Sequence, residues 1–252
     1  MNHFPKIGLL ITHYNRSNSL ENLLKTFQSM NCIFGNIIVS DDGSKSEHLN
    51  KVIDLQLRYS FQLVCASENR GLGNNINKGQ DAIKAPFTLY IQEDFEPNDT
   101  FPERLKEAYD LMSEDSNLDI VRFYAYYPYP YLKYFNEHFS EMWIKPFAID
   151  YRKIYFYSDH PHLRRSSFFE KFGRYVEGLK GDKTEYKMCI SFLKNKGKGL
   201  FYTDCQGLFT QKNTSEEPST MIRSNWRNSD NLFISFIRYI YRQIKYNYDI
   251  LQ

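Results

Sequence analysis

Cysteine is scarce in this chain of 252 residues, and the few cysteines form no recognisable pattern. None belongs to a CxxC pair, and no histidine stands at zinc-finger spacing from one. These absences argue against a disulfide framework and a structural zinc site, and they favour reduced thiols in the core of a cytosolic protein. The four cysteines are Cys32, Cys65, Cys189 and Cys205.

Long apolar runs are also missing. Near the amino terminus one lysine precedes an apolar stretch that stops at Thr12, too short for the apolar core of a signal peptide. No other run reaches the roughly 20 apolar residues of a membrane-spanning helix. We therefore expect a cytoplasmic protein, attached at most peripherally to the inner face of the cell membrane.

Neither sign of charge is in excess, because 32 Lys and Arg stand against 30 Asp and Glu. A protein that binds nucleic acid by neutralising phosphates needs a basic excess or a dense basic stripe, so no nucleic-acid partner is expected. With 42% hydrophobic and 25% charged residues the composition is that of a globular protein. The 17% aromatic content suits flat contacts with sugars, nucleobases or other proteins.

Three familiar enzyme motifs are absent. Gly71 and Gly73 are followed by Ile76 where a dinucleotide-binding fingerprint needs a third small residue. The chain contains neither a Walker A segment nor a GxSxG elbow. Rossmann oxidoreductases, kinases and hydrolases therefore lose their usual sequence support.

Apolar runs of strand length alternate with helical patterns over roughly the first 125 residues, which is typical of a mostly parallel sheet with helices on both faces. Asn18, with Glu21 three positions later, predicts the start of the first helix. Pro86 predicts the end of another helix, which starts near Leu72. The predicted strands cover residues 6–12, 37–40, 62–66 and 87–91.

Two acidic clusters directly follow predicted strands: Asp41 and Asp42 follow the second, and Glu93 and Asp94 the fourth. Ligands of open α/β sheets bind at the carboxyl ends of strands, so both clusters are expected along one edge of the sheet. The second half is less regular. It contains a Tyr- and Pro-rich segment (123–134), a His-Pro-His loop (159–165) and a predicted helix (184–194).

Residues 231–248 predict an amphipathic helix with one apolar and one basic half. Two interpretations stay open: the apolar half packs on the domain or on a second subunit in a homodimer, or it makes peripheral contact with an anionic membrane. Arg238, Arg242 and Lys245 lie on the basic half. The apolar half holds Leu232, Phe233, Phe236, Ile237, Ile240, Tyr241 and Ile244.

Four segments follow one another in a fixed order: ITHYNR at 11–16, IVSDDGS at 38–44, ENRGLGNNINKG at 68–79 and LYIQED at 89–94. Together they resemble the nucleotide-sugar half of family 2 glycosyltransferases. The resemblance implies an α/β protein of the GT-A fold, with a mostly parallel central sheet flanked by helices. It implies a glycosyltransferase domain over residues 1–228, with a nucleotide-sugar half (1–100) and an acceptor half (101–228), and a helical appendage over 229–252.

The resemblance implies a nucleotide site along the first three segments. In the family the second acid of the DDGS-like loop accepts the N3 proton of uracil, and that position is Asp42. An aromatic such as Tyr14 can cover the face of the base, and Arg70 is available for a phosphate. Asp41 either contacts the ribose or caps the turn. The implied nucleotide-binding residues are Thr12, Tyr14, Asn15, Arg16, Asp42, Asn69, Arg70, Gly71 and Asn74.

The resemblance also implies a divalent cation, Mn²⁺ or Mg²⁺, at Glu93 and Asp94. Such an ion stabilises the charge of a departing diphosphate, and it takes oxygen ligands from carboxylates, phosphates and water. The two acids match the first two positions of the family's DxD-like motif, and Asp94 is the implied metal ligand. Phe95 replaces an often acidic third residue, with Glu96 as a helper. A solvated acidic loop without a metal is the other interpretation.

Inverting transfer needs a carboxylate that takes the proton of the acceptor hydroxyl. The family supplies it just before a helix that ends in a glycine and a strand, and residues 184–202 resemble that region. The implied base is Glu185, with Asp182 as the competing candidate. A helix cap for Asp182 and a first-turn position for Glu185 are the structural alternatives. His160 and His162 are candidates for contact with the acceptor or a metal.

The implied function is inverting transfer of one sugar from a nucleoside diphosphate sugar, UDP-linked, to a hydroxyl of a surface glycan or lipid-linked precursor. Arg164 and Arg165 then either meet phosphates of that acceptor or are structural. The QxxRW motif of processive members is absent, which argues against polymer synthesis coupled to export. The alternative function is that of a non-catalytic sugar-nucleotide or glycan binding protein on the same fold. A nucleotidyltransferase is a third interpretation, weakened by the lack of a glycine-rich loop after the first strand.

Overall fold

The computed structural model describes residues 1–145, 148–213, 217 and 232–251. Its first part alternates strands and helices, as the sequence predicts. All four predicted strands are present, and the pattern over residues 46–59, which the sequence analysis leaves unassigned, forms a further helix. The elements are β1 (Asn2–His13), α1 (Ser17–Ser29), β2 (Cys32–Asp41), α2 (Ser46–Tyr59), β3 (Gln62–Cys65), α3 (Leu72–Asp81) and β4 (Phe87–Gln92).

Shorter elements make up the second part of the chain. The helix predicted over residues 184–194 is present and begins slightly earlier. The elements are β5 (Phe95–Pro97), α4 (Phe101–Glu114), β6 (Ile120–Arg122), β7 (Leu132–Tyr134), β8 (Phe139–Met142), a 3-10 helix (Tyr151–Phe156), β9 (His162–Arg165), α5 (Phe168–Phe172), α6 (Gly181–Lys194), β10 (Gly199–Tyr202), β11 (Phe209–Gln211) and α7 (Leu232–Leu251).

One nine-stranded sheet crosses the molecule in the order β3-β2-β1-β4-β9-β6-β10-β8-β7. Strands β1 to β4 run parallel, β9 runs antiparallel to both β4 and β6, and β10 runs parallel to β6. Strands β5 and β11 form a separate antiparallel pair. The carboxyl ends of β1, β2 and β4 therefore lie side by side on one edge.

Hydrophobic layers cover both faces of the sheet. Leu9 and Ile11 of β1 belong to the layer under α1, α2 and α4, whereas Leu10 belongs to the layer that contains Ile76 of α3 and Met188 of α6. Successive side chains of a strand point to opposite faces, so a strand buried on both faces is apolar throughout. This explains why the first predicted strand is a continuous apolar run.

Residues 95–97, which follow β4 and carry no strand prediction, form β5. Two local predictions are wrong. The His-Pro-His loop continues into β9, which lies in the middle of the sheet. Helix α1 begins at Ser17, and Asn18 is not its cap. The carboxylate of Glu217 instead accepts hydrogen bonds from the amides of Asn18 (2.8 Å) and Ser19 (2.9 Å).

Helix α7 confirms the predicted carboxyl-terminal helix, and it lies against α6 and the 3-10 helix. The side chains of Leu232 and Phe233, both assigned to its apolar half, lie outside the described residues. Among the helices that are described, none combines the length and the apolar character needed to cross a membrane.

Candidate active site

The carboxyl edge of the sheet brings the two predicted acidic clusters together. The Asp42 amide donates a hydrogen bond to the His13 carbonyl (3.1 Å), which joins the ends of β2 and β1. The Glu93 amide donates to the Thr12 carbonyl (3.3 Å), which joins the ends of β4 and β1. Both clusters thus begin at neighbouring strand ends, as expected for ligand sites of parallel sheets.

Asp41 makes its contacts inside the protein. Its buried carboxylate accepts hydrogen bonds from His13 Nδ1 (2.7 Å) and from the Ser44 amide (2.9 Å). The other ring nitrogen of His13 accepts from the Arg16 amide (3.2 Å), which assigns the ring proton to Nδ1. Burial raises the pKa of Asp41, but the hydrogen bonds from His13 and Ser44 outweigh it and lower the pKa below its ordinary value. The structure therefore supports the turn cap rather than a ribose contact.

Asp42 holds the loop that precedes α3 against the end of β2. Its two carboxylate oxygens accept hydrogen bonds from the amides of Arg70 and Gly71, both at 2.9 Å. Gly71 has φ +85° and Gly43 has φ +71°. A Cβ atom on residue 43 would lie only 2.3 Å from the Glu68 carbonyl carbon, which is a clash. Both positions require glycine. Burial raises the pKa of Asp42, although both amides act to lower it.

Three predicted nucleotide residues lie near this anchored loop with accessible side chains. The Arg70 side chain is 57% exposed, Asn69 is exposed, and Tyr14 is half-buried. The Arg70 guanidinium lies 3.9 Å from the Glu177 carboxylate, a loose contact that a phosphate can replace. A role of these side chains in nucleotide binding stays a prediction.

Three others are already engaged within the protein. Thr12 Oγ1 lies 3.2 Å from the Tyr90 hydroxyl in the interior, and its assignment to the nucleotide stays a prediction. Asn15, at φ +54°, accepts a hydrogen bond from the amide just before α2 (2.8 Å). Asn74 donates to Glu177 (2.7 Å). Asn15 and Asn74 therefore hold loops in place.

Arg16 lies beside Glu93 and Asp94, which we call the acidic pair. Its buried guanidinium is 3.0 Å from Asp94 Oδ2 and 3.9 Å from Glu93 Oε1. It also donates to the carbonyls of Lys212 (3.2 Å) and Glu217 (3.1 Å). The structure thus gives Arg16 a contact that the nucleotide assignment does not include: compensation of the charge of the acidic pair.

Two carboxyl groups of the acidic pair share one guanidinium. Burial, and then the charge of Asp94, raise the pKa of Glu93 to about 8. Asp94 Oδ2 also accepts a hydrogen bond from Gln211 Nε2 (2.8 Å). Two buried carboxylates fit a divalent cation whose remaining ligands are phosphate oxygens and water. Over the described ranges, no three or more His, Cys, Asp or Glu side chains are grouped to hold a metal ion by themselves.

The residues that follow the acidic pair add no ligand. Phe95 is fully buried, and its ring packs edge-on against Tyr124 (4.9 Å between centroids) and His160 (5.8 Å). Glu96, the predicted helper, forms an ion pair with Lys212. Asp94 and Glu93 are therefore the residues of this segment that fit a metal.

Glu185 and Asp159 form a second pair of carboxylates, where α6 meets the segment before β9. Glu185 Oε1 accepts a hydrogen bond from the Asp159 amide (2.9 Å), and the Asp159 carbonyl accepts one from Gln92 Nε2 (3.3 Å) at the end of β4. Burial, and then the charge of Glu185, raise the pKa of Asp159 to about 7. Burial likewise raises the pKa of Glu185. Gln92 stands two positions before Asp94, so this pair adjoins the acidic pair.

Asp182 lies three positions before Glu185, in the first turn of α6, and is half-buried. Residues at this spacing share one face of a helix. Burial is the largest cause of the raised pKa of Glu185, and the negative charge of Asp182 raises it further. The structure brings the two candidate bases together, and the choice between them stays a prediction.

The two histidines of the His-Pro-His segment have different surroundings. His160 is half-buried against Tyr124 and Tyr126, and burial lowers its pKa to about 3, so its ring is neutral at physiological pH. His162 is fully buried between Tyr90 and Tyr157, where its Nδ1 donates to the His160 carbonyl (2.7 Å). His160 is therefore the more accessible of the two, and a contact of either histidine with acceptor or metal stays a prediction.

Arg164 and Arg165 are structural. Arg164 is fully buried and donates to Gln80 (2.8 Å) and to the Tyr175 hydroxyl (3.3 Å). Arg165 donates to backbone carbonyls at the end of α4, among them that of Asp115 (2.8 Å). Neither side chain is placed to meet the phosphates of an acceptor.

Sequence reasoning missed four residues of this region. Gln211 and Glu217 reach the acidic pair and α1 from more than 100 positions away, and no local pattern signals such contacts. Asp159 stands directly before the His-Pro-His motif. A carboxylate next to that motif is a sequence signal from which Asp159 could have been predicted as a site residue. Glu177 holds helix α3 in place by accepting a hydrogen bond from Asn74.

Known proteins resemble this chain in sequence. The family described as "Glycosyl transferase family 2" matches residues 9–173. A cholesterol galactosyltransferase of Borreliella burgdorferi is 28% identical over 127 residues, which cover 50% of this chain and 34% of that protein. The chain thus spans about a third of the length of this relative.

Solved structures share the fold. S. aureus TarS 1–349 in complex with UDP-GlcNAc has a TM-score of 0.61 at 17% identity, covering 87% of this chain and 62% of the other. The mannosyltransferase PcManGT from Pyrobaculum calidifontis, in complex with GDP-Man and Mn²⁺, has a TM-score of 0.56 at 12% identity, covering 84% and 59%. At these identities the similarity concerns the fold alone, which is the GT-A fold.

Proposed function

Because this chain belongs to glycosyl transferase family 2, we propose that it transfers one sugar, with inversion, from a UDP-linked donor to a hydroxyl of a surface glycan or lipid-linked precursor. One observation carries this proposal. Gln92 joins the end of β4, next to the acidic pair, to Asp159, whose amide is bound by Glu185. Groups suited to a diphosphate and groups suited to proton transfer therefore adjoin each other on one edge.

The donor would lie over the carboxyl ends of β1, β2 and β4. Tyr14 would cover the base, and Asp42 would accept the N3 proton of uracil with the lone pairs left over from its two backbone hydrogen bonds. Arg70 would bind a phosphate. Complexes of similar folds with UDP-GlcNAc and GDP-Man support a nucleotide-sugar donor.

Asp94, with Glu93 beside it, would hold Mn²⁺ or Mg²⁺, which supplies Lewis-acid stabilisation of the diphosphate charge. The Mn²⁺ complex of a protein with this fold supports this assignment. Arg16 adds a fixed positive charge at the same place. The acidic pair is buried, so the attraction between these charges is weakly screened.

In the transfer step, the acceptor oxygen forms a bond to the anomeric carbon while the bond from that carbon to the diphosphate oxygen breaks. The bonding electron pair leaves with UDP. Glu185 would take the proton of the attacking hydroxyl, and its raised pKa makes it a stronger base than an exposed glutamate. His160 and Tyr126 would line the acceptor side, because the Tyr126 ring packs against His160 and is partly exposed. Tyr127, the next residue in the chain, is 73% exposed.

A panel of UDP and GDP sugars, each with Mn²⁺, Mg²⁺ or a chelator, tests the proposal. We expect slow release of UDP from one donor, stimulated by metal and by a glycan or lipid acceptor. The similarity to a cholesterol galactosyltransferase makes UDP-galactose and lipid acceptors the first choice.

The second candidate function is non-catalytic binding of a sugar nucleotide. The place of Phe95 in the motif and the ion pair between Arg16 and Asp94 favour it. Saturable nucleotide binding without release of UDP from any donor, with all acceptors, would select this function and reject the transferase.

A further inference from the structure

Helix α7 packs on the protein largely through polar side chains. Lys153 is buried, and its ammonium group donates to Gln243 Oε1 (3.3 Å), to Asn247 and to the Ala148 carbonyl (2.9 Å). The Tyr239 hydroxyl donates to the Ile149 carbonyl (2.7 Å). An amphipathic helix of a globular protein ordinarily turns its apolar side inward. Here hydrogen-bonding groups face inward.

A second set of contacts holds α7 against α6. The rings of Tyr186 and Tyr246 pack at 5.4 Å, and the Lys245 ammonium lies 4.0 Å from the centroid of the Tyr186 ring. The Tyr186 hydroxyl donates to Asp249. The orientation of α7 is therefore set at several points along its length.

The opposite side of α7 presents an apolar stripe to solvent. Exposed fractions there run from 42% for Ile240 to 85% for Leu251, and the spacing of three, four and seven residues puts these side chains on one helix face. Ile149, 75% exposed, lies next to the helix. Contiguous exposed apolar surface of this kind marks a site of contact with a protein or membrane. The stripe consists of Phe236, Ile237, Ile240, Tyr241, Ile244, Tyr248 and Leu251.

Exposed basic residues of α6 lie beside one end of α7. Lys187 and Lys194 are near Asp249, whereas Arg238 and Arg242 belong to the half of α7 opposite the stripe, and the Arg242 guanidinium lies 4.7 Å from the centroid of the Tyr151 ring. The single acidic side chain of α7 is neutralised, because Asp249 pairs with Lys245 (2.7 Å). The end of α7 at Asp249 therefore lies in positive surroundings.

This charge decides between the two occupants considered for the stripe. A second copy packed on the stripe would bring the same lysines to the interface, and like charges there oppose association. An anionic bilayer offers an apolar interior for the stripe and negative head groups for Lys187 and Lys194. With 20 residues, α7 can lie along the surface of such a bilayer.

We propose that α7 is a membrane-docking helix, which lies in the plane of an anionic phospholipid surface with the stripe inserted at the boundary of head groups and acyl chains. The proposal goes beyond the transferase function and does not require it. It has one consequence for that function: α6 carries both Glu185 and the surface on which α7 packs, so docking would bring the acceptor side close to lipid.

Flotation of the full chain with lipid vesicles tests the proposal. Vesicles of phosphatidylcholine with phosphatidylglycerol should carry the protein, vesicles of phosphatidylcholine alone should carry much less, and added salt should weaken the binding. The double substitution Ile240→Ser and Ile244→Ser should lower the partition coefficient at least about tenfold, because it removes two large apolar groups from the stripe. Leu57→Ser is the matched control, since Leu57 is 82% exposed on α2, outside α7.

A separate charge variant, Lys187→Gln with Lys194→Gln, should reduce binding to anionic vesicles and leave the residual binding to neutral vesicles unchanged. Equal binding to both vesicle types, or no binding at all by a chain with native circular dichroism, would overturn the proposal. A dimer in light scattering that Ile240→Ser and Ile244→Ser dissociate, without vesicle binding, would assign the stripe to a second copy instead. None of these readouts depends on sugar transfer, so a failed transferase proposal would be recognised separately.

Discussion

At the residue scale, identical acids have opposite properties according to their neighbours. Asp41 and Asp42 are adjacent and both buried, yet hydrogen bonds from His13 and Ser44 lower the pKa of Asp41, whereas burial raises that of Asp42. Stabilising neighbours suit a structural carboxylate, while a raised pKa suits a group that exchanges protons or awaits a positive ligand. Glu185 belongs to the second kind.

The metal assignment predicts the behaviour of Asp94→Asn. Mn²⁺-dependent affinity for UDP should fall at least about tenfold, because an amide oxygen is a much weaker ligand for a hard cation than a carboxylate. The fold should persist with a loss of roughly 1–3 kcal/mol, since Arg16 loses one of its charged partners. Calorimetric titration of UDP with and without Mn²⁺ measures the first effect, and urea unfolding the second.

Glu96→Gln is the control for that experiment, because Glu96 pairs with Lys212 beside the acidic pair. It should leave the metal-dependent affinity near normal. Unchanged metal-dependent affinity in Asp94→Asn would remove Asp94 from the metal site.

The candidate base predicts a different pattern. Glu185→Gln preserves shape but cannot take a proton, so transfer should fall by roughly 10²–10⁴-fold while donor affinity stays near normal. Asp182→Asn should reduce transfer much less. Steady-state rates with saturating donor, combined with UDP titrations, measure both. The reverse ranking would make Asp182 the base, and near-normal transfer in both variants would leave His160 as the next residue to test.

The raised pKa of Glu185 predicts a pH profile. The base must be ionised to work, so kcat/KM should decline as the pH falls through the raised pKa, with a midpoint above the ordinary 4.5. The charge of Asp182 contributes to this elevation, so Asp182→Asn should move the midpoint to lower pH. Rates across a pH series for the two proteins measure the shift. A midpoint at or below 4.5, or one that Asp182→Asn leaves in place, would contradict the assignment.

At the scale of elements, helix α1 shows that a helix end can depend on a distant residue. Arg16 at its N-cap makes no capping hydrogen bond through its side chain. Glu217 supplies the cap instead, and its carboxylate also accepts from the Ser19 hydroxyl (2.6 Å). Burial raises the pKa of Glu217, but these hydrogen bonds outweigh it and lower the pKa. The cap also benefits from the positive end of the helix dipole.

Glu217→Gln tests this cap. The variant loses the negative charge and one of two acceptor oxygens, so we expect a loss of about 1–2 kcal/mol in the free energy of unfolding. Glu47→Gln, in the exposed first turn of α2, should cost a few tenths of a kcal/mol. Urea titrations of both variants measure the difference. Equal effects would mean that Glu217 does not cap α1 in solution.

At the scale of the whole molecule, one continuous sheet joins the two halves of the chain. Strand β9 lies between β4, from the first hundred residues, and β6, from the rest of the chain. The acidic pair and Glu185 are thereby held in a fixed relation. Helix α7 is bound to this body through Lys153.

Coupling between α7 and the body predicts a non-additive effect. Lys153→Met should lower the free energy of unfolding by about 1–2 kcal/mol more in the full chain than in a chain that ends at residue 228. The shortened chain already lacks Gln243 and Asn247, the partners of Lys153. Lys106→Met, on the exposed face of α4, should cost the same in both. Unfolding titrations of all six proteins provide the cycle. Additive effects for Lys153 would show that the appendage is independent of the domain.

Much of the fold followed from local pattern. Continuous apolar runs predicted β1 and β4 because both faces of these strands are buried, and the helical period predicted α1, α3, α6 and α7. The four ordered motifs predicted the family, which matches residues 9–173. They also predicted the edge on which Asp42 and Asp94 lie, because parallel strands end together.

Only the tertiary structure decided which side chains are free to act. Thr12 and His162 belong to motifs, but their strands carry them into the core. Glu217 caps α1 and meets Arg16 across about 200 positions, and Arg16 meets Asp94 from the end of another strand. The orientation of α7, with polar groups inward, likewise depends on the buried Lys153 that it meets. Local sequence specifies backbone period and strand ends, whereas burial and charge pairing depend on segments that only folding brings together.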